Sequence, residues 1–244
     1  MHLGKLASVV MVALAALLTW APAAKAQGYA QLSDWCYGQA TDDQTIRGCT
    51  AVIQWARENP RDTGAAFYNR GIAFASRGLL DRALSDYGQA LRLRPSADVF
   101  NNRGSAWRRK GYPDRAVEDF DSALALRPDY AGALFNRGLA RTDLGQYQQA
   151  VADLDRALAL LPGDAESLEA RGFAHLKLGR ADAALLDYDG ALRANPKSPV
   201  ALYGRGIARQ SKGDSIGAKA DMTAASALQK SVADDFRKRG VAGF

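Results

Sequence analysis

Five glycines, Gly71, Gly104, Gly138, Gly172 and Gly206, each directly after an arginine, recur with a period of about 34 residues. A period of that length restricts the chain to an architecture built from one repeated supersecondary unit, because each copy must bury its apolar face against the next. A second glycine row keeps the same step at Gly78, Gly111, Gly145, Gly179 and Gly213. Two alanine rows do likewise, at Ala83, Ala116, Ala150, Ala184 and Ala218 and at Ala90, Ala123, Ala157, Ala191 and Ala225. Pro95, Pro128, Pro162 and Pro196 close four of the five units.

Each row has a physical reason. Ala116, Val117, Phe120, Ala123 and Leu124 fall on one face of a helix. Small residues in the rows of Gly71 and Ala83 let two antiparallel helices approach closely, with the aromatic at Phe67 or Phe100 expected to fill the space beside them. The second glycine row supplies the left-handed residue that stops the first helix, and the prolines stop the second.

The pattern Phe67-x2-Arg70-Gly71-x2-Phe74, then Ala83-x3-Tyr87-x2-Ala90 and Pro95, resembles the tetratricopeptide repeat. The resemblance covers residues 64 to 232 in five copies. It implies an all-α fold, a right-handed α-solenoid of antiparallel helix pairs. The departures are Arg70, Arg103, Arg137, Arg171 and Arg205 in place of a leucine, Arg141, His175 and Arg209 where an aromatic is common, and Lys230 in place of the last proline.

Carrying the register outward organises the rest. Residues 1–26 read as a signal peptide, 27–63 as a degenerate capping repeat, 64–96, 97–130, 131–164, 165–198 and 199–232 as the five repeats, and 233–244 as a capping helix and tail. In the first unit Pro60 falls in the proline row, Cys36 in the first-glycine row, Val52 in the aromatic row and Trp55 in the second alanine row. At the far end Phe236, Arg239 and Gly240 fall in their expected slots.

The signal reading rests on Lys5, the apolar run Leu6 to Trp20, and Ala24-Lys25-Ala26. The run is short for a membrane span, so cleavage before Gln27 and an exported, periplasmic or secreted, bacterial protein are expected, with no stable membrane insertion afterwards. Cleavage removes Lys5 and Lys25 and no acid, leaving 30 basic against 26 acidic side chains. Those charges are interspersed and form no basic stripe with stacking aromatics, so no nucleic-acid partner is expected.

Catalytic chemistry finds no constellation in the sequence. Beyond the leader only His175, Cys36 and Cys49 offer nitrogen or sulfur ligands, so neither a metal nor a cofactor is expected. His175 stands where the family packs an aromatic, which makes it a core or groove-wall residue. No G-x-S-x-G elbow is present. Asp42 and Asp43, like Asp234 and Asp235, read as helix-start acids. The chain is read as non-enzymatic.

Two polar rows remain. Each ladder arginine is followed at a constant offset by an aspartate, at Asp86, Asp119, Asp153, Asp187 and Asp221, which suggests a structural ladder of bidentate pairs, within a repeat or between neighbours. By the resemblance, the residue two before each glycine faces a concave groove, placing Asn69, Asn102 and Asn136 there. Beside them lie Tyr68, Asn101 and Phe135, and lower on one helix Arg108 and Arg109. Asparagine amides can pair with the backbone of a peptide. The implied function is a scaffold or adaptor that binds a segment of a partner protein in this groove. A basic polyanion- or envelope-surface-binding module is the alternative, and an accessory subunit of an envelope enzyme a special case. Cys36 falls in the close-contact row of the first unit's first helix and Cys49 one residue beyond the corresponding row of its second, so their side chains should meet at the helix crossing and export would join them in a disulfide.

Overall fold

The computed structural model describes residues 28–55 and 60–241, which are helical with short connections; residues 1–26, read as the signal peptide, lie outside them. The chain divides into two compact units, residues 1–102 and 103–244.

In the first unit α1 spans 28–37 and α2 spans Asp42–Trp55. A capping box starts α2: the Gln44 amide N–H donates to Thr41 Oγ1 and the Thr41 N–H to Gln44 Oε1. Cys36 and Cys49 form the expected disulfide, with Cα atoms 4.6 Å apart, and are both buried. The close approach of the pair is visible at Gly48, where a Cβ would lie 2.3 Å from the Leu32 carbonyl oxygen. Val52 is buried as its register demands, but Trp55 is 55% exposed and stacks on Tyr29 at 4.9 Å, so the second alanine row does not extend into this unit. Helix α3 (Pro60–Ser76) and α4 (Leu80–Leu93) form the next pair. Pro60 opens α3 instead of closing the unit before it, since a proline's missing N–H and fixed φ suit the first turn of a helix.

Helix α5 (Ala97–Arg109) crosses the division. In the second unit it pairs with α6 (Pro113–Leu126), followed by α7 (Ala131–Asp143), α8 (Tyr147–Leu160), α9 (Ala165–Lys177), α10 (Ala181–Ala194), α11 (Pro199–Ser211), α12 (Ser215–Leu228) and α13 (Val232–Lys238). Each helix from α7 to α12 packs on the next, and alternate first helices, α7 on α9 and α9 on α11, also touch. That is the stacking of successive helix pairs expected from the period.

The two glycine rows do different work. Gly78, Gly111, Gly145, Gly179 and Gly213 have φ between 70° and 87°, the left-handed stop that a side chain resists. Gly71, Gly104, Gly138, Gly172 and Gly206 sit in helices against a side chain of the partner helix, and a Cβ there would lie 2.7 to 3.0 Å from Tyr87, Phe120, Leu154, Tyr188 or Met222. These residues, not Phe67 and Phe100, fill the space beside the glycine. Phe67 and Phe100 are only partly buried, whereas Tyr87, Phe120, Leu154 and Tyr188 rank among the most deeply buried side chains.

Candidate functional site

The arginine row comes first because it fixes the helices that carry the groove. All five arginines make the fork with the aspartate of their own repeat: Arg70 Nε donates to Asp86 at 2.7 Å, Arg103 to Asp119 at 2.8 Å, Arg137 to Asp153 at 2.9 Å, Arg171 to Asp187 at 3.0 Å and Arg205 to Asp221 at 2.8 Å, with Nη2 on the second oxygen. In four of the forks the third nitrogen, Nη1, reaches the preceding helix pair, to Thr50 from Arg70 and to Asp121, Asp155 and Asp189 from Arg137, Arg171 and Arg205. The ladder is therefore both intra- and inter-repeat. The paired aspartates are buried, and the hydrogen bonds to Asp187 and Asp221 hold Arg171 and Arg205 above the usual arginine range. Arg141 and Arg209, one turn on, add a second cation to Asp153 and Asp221. His175 takes that place in its repeat, with Nε2 3.8 Å from Asp187 and its Nδ1 buried without a hydrogen-bond partner among the described residues. Burial pushes the His175 pKa down, with Asp187 opposing and Arg171 and Arg180 adding to it.

The candidate groove residues fall in both units. In the first, Asn69 Nδ2 donates to the Cys36 carbonyl at 2.9 Å, so it ties α3 to the disulfide-bonded pair. Asn102 Nδ2 donates to the Tyr68 hydroxyl at 2.9 Å, and buried Asn101 Nδ2 reaches Asn102 Oδ1 at 3.4 Å. Asn69 and Asn102 thus hold adjacent helices together, each bonding a group about one period earlier. Burial and Asp98 push the Tyr68 pKa up, and Tyr68 lines a cleft of about 250 Å³ with Gly64, Ala65, Arg94, Ser96 and Asp98. In the second unit Phe135 and Asn136 are partly buried on α7, Arg109 is exposed, and Arg108 Nε donates to Asp143 at 2.6 Å.

What the sequence pattern did not reveal is the surface of repeats four and five. Gly204, in the asparagine row, has no side chain because a Cβ would lie 2.2 Å from Tyr188 Cζ. Tyr188 is fully buried and, among the described residues, its hydroxyl has no hydrogen-bond partner. Glu169 accepts from the Ser198 hydroxyl at 2.5 Å, and burial pushes its pKa up. The terminal α13 does not continue the repeat, since Gly240 is its left-handed stop at φ 73° and not a close-contact glycine. Phe236 packs against Tyr203 and Phe173 with ring centres 5.0 and 5.8 Å apart, and Arg239 lies 3.7 Å over the Phe173 ring where the repeats have a fork to an aspartate.

Tetratricopeptide repeat profiles match residues 103–171 and, in a second form, residues 51–98, 68–131 and 169–218. The chain is a tetratricopeptide repeat protein. The family accounts for its all-α stack of helix pairs, and the solved structures it resembles share that fold. A tetratricopeptide repeat protein from Parabacteroides merdae is 21% identical with a TM-score of 0.68, covering 89% of this chain and 94% of its own. YrrB, described as a TPR protein with an unusual peptide-binding site, is 23% identical with a TM-score of 0.62, covering 78% and 97%. MamA from Desulfovibrio magneticus is 23% identical with a TM-score of 0.64, covering 70% and 97%. No curated protein matches the tetratricopeptide repeat chain by sequence. Among the described residues of this repeat protein no helix is long and apolar enough to cross a membrane.

Proposed function

We propose that the protein is an exported, non-enzymatic scaffold that holds a segment of a partner protein against the first helices of its repeats. The observation that carries this reading is the division of labour between faces. The close-contact glycines and the arginine ladder are consumed in joining helices, while the first helices still present Ile72 at 40% exposure and part-exposed Tyr68 in the first unit, and, separately, part-exposed Phe135 and exposed Arg109 in the second. Aromatic and aliphatic anchors with polar neighbours are what a peptide-binding face requires. The peptide-binding site named for YrrB, a protein of like fold, supports the same reading. The polyanion alternative draws less support, because the basic residues of the ladder and Arg108, Arg141 and Arg209 are already paired with aspartates.

The test is crosslinking of the protein in its native envelope with mass spectrometry of what it captures, repeated with Ile72→Asp and with Phe135→Ala. These substitutions should weaken capture at least tenfold and leave melting within a few degrees. Capture unaffected by either would move binding to the convex face or the ends. Asn69 and Asn102 are unsuitable probes, since their amides brace neighbouring helices. Export is part of the proposal: N-terminal sequencing should find Gln27 first, and an intact Met1 on exported material would exclude it.

A further inference from the structure

Residues 232–241 pack against the first helices of the last two repeats, α9 and α11, and their contacts there have the form of a recognition site. Val232, Phe236 and Val241 are buried in one cluster with Phe173, Tyr203 and Ile207, which are first-helix residues of α9 and α11. Phe236 enters between the Phe173 and Tyr203 rings. Three residues on, the Arg239 guanidinium lies on the outer face of Phe173. Arg239 is exposed as a residue, yet its head is desolvated enough for burial to lower its pKa, with Asp143 acting in the opposite sense. Lys177 Nζ donates to the carbonyl oxygens of Gly240 at 2.9 Å and Arg239 at 3.5 Å, capping the end of α13.

This segment is a weak occupant. Helix α13 has seven residues, well short of the roughly 12–15 a helix needs to persist alone, so it is held by these contacts. It also covers only part of the surface available. A cleft of about 650 Å³ stays open beside it, lined by Tyr203, Gln210, Lys219, Met222, Ser226 and Ala233. The Tyr188 hydroxyl, deeply buried at the contact between α9 and α11, has no hydrogen-bond partner among the described residues.

Resting on the scaffold reading above, we propose that this surface of α9 and α11 recognises a partner segment that presents an aromatic side chain and, three residues later, an arginine, and that residues 232–241 occupy it until such a segment displaces them. Phe173, Tyr203 and Ile207 take the aromatic side chain, Phe173 takes the cation on its ring face, and Lys177 takes the carbonyls that end the helical turn. A longer partner helix gains the open cleft as well, which gives it the advantage over α13.

The probe is a labelled synthetic peptide of residues 229–244, titrated into the full-length chain and into its Phe236→Ala/Arg239→Ala variant, with folding checked by circular dichroism. The variant should bind the peptide at least tenfold more tightly than the unchanged chain, and a peptide carrying the same two substitutions should bind neither. Equal binding to both chains, or no binding to a folded variant, overturns the proposal. A second measurement needs no variant: excess peptide should accelerate tryptic cleavage of the unchanged chain after Arg237, Lys238 and Arg239. An unchanged cleavage rate shows α13 to be a fixed cap and overturns the proposal too. Failure here is distinct from failure of the scaffold reading, whose test uses Ile72 and Phe135 and the native partner.

Discussion

Replacing Arg137 and Arg141 together should destabilise the protein by more than the two single losses combined. Asp153 is 2% exposed and accepts three charged hydrogen bonds, two from Arg137 at 2.5 and 2.9 Å and one from Arg141 at 2.7 Å. Losing one partner of a buried ion pair typically costs about 3–5 kcal/mol, because the remaining charge is left uncompensated. Arg137→Ala alone leaves Arg141 on Asp153, so its cost should fall below that range, at about 2 kcal/mol; Arg141→Ala alone leaves the fork whole and should cost about 1 kcal/mol. The double change strips Asp153 bare and should reach about 5 kcal/mol. The excess over the two single losses, about 2 kcal/mol, is the coupling between two cations that share one carboxylate. Adding Asp153→Asn to the double variant should recover much of the loss, since a neutral amide no longer carries an unpaired charge. Urea unfolding followed by far-ultraviolet circular dichroism measures all four chains. Additive single effects, or a double variant that melts like the unchanged protein while losing its partner, would refute a structural ladder and make the row a ligand site.

Three further outcomes are expected. Under denaturing, non-reducing conditions no thiol should label, and reduction of Cys36–Cys49 should lower the stability of the first helix pair by about 3 kcal/mol on the chain-entropy estimate; two labelled thiols would exclude the bond. Gly204→Asn, which would restore the asparagine row, should destabilise by about 1–3 kcal/mol through overpacking on Tyr188, and an unchanged melting temperature would show that Tyr188 can move aside. The His175 pKa is lowered by folding, so the unfolded chain takes up the proton first; the histidine's contribution is complete above its unfolded value of about 6.5 and is lost as pH falls below it. Melting scans between pH 7.5 and about 5 should show a slope that His175→Phe reduces, and an identical slope in both chains would assign it to carboxylates.

The stack was legible because its period imposes the same physical demand on every copy. Gly145 and Gly179 stop helices wherever they recur, and Arg171 finds Asp187 at the same offset as Arg70 finds Asp86. The disulfide was legible from the same register, which set Cys36 and Cys49 near one helix crossing, joined to the expectation of export. What a period cannot carry is the end of the stack. Pro60 and Gly240 occupy the right slots with different jobs, one opening a helix and the other ending one, because each lacks the neighbour that gives the slot its meaning. The groove was only partly legible. The sequence places Asn69 and Asn102 on the first helices, but whether an amide faces a ligand or braces the next helix depends on a carbonyl and a hydroxyl about one period away. The register marked Phe236 and a capping helix, but not the partner of that side chain: the ring lies against Tyr203 and Phe173 of earlier first helices, which no slot assignment specifies.

The third nitrogen of the forks at Arg137, Arg171 and Arg205 has a mechanical consequence. Within a repeat the fork closes on a carboxylate that is at most 8% exposed, but the tie to the preceding repeat ends on Asp121, Asp155 or Asp189, each about half exposed. Salt screens the second kind of contact far more than the first. Raising ionic strength should therefore leave each helix pair intact while slackening the joints between pairs from α6 to α12. In the second unit this makes a spring with rigid coils and tunable joints, whose stiffness answers to the ions around it well before any repeat unfolds.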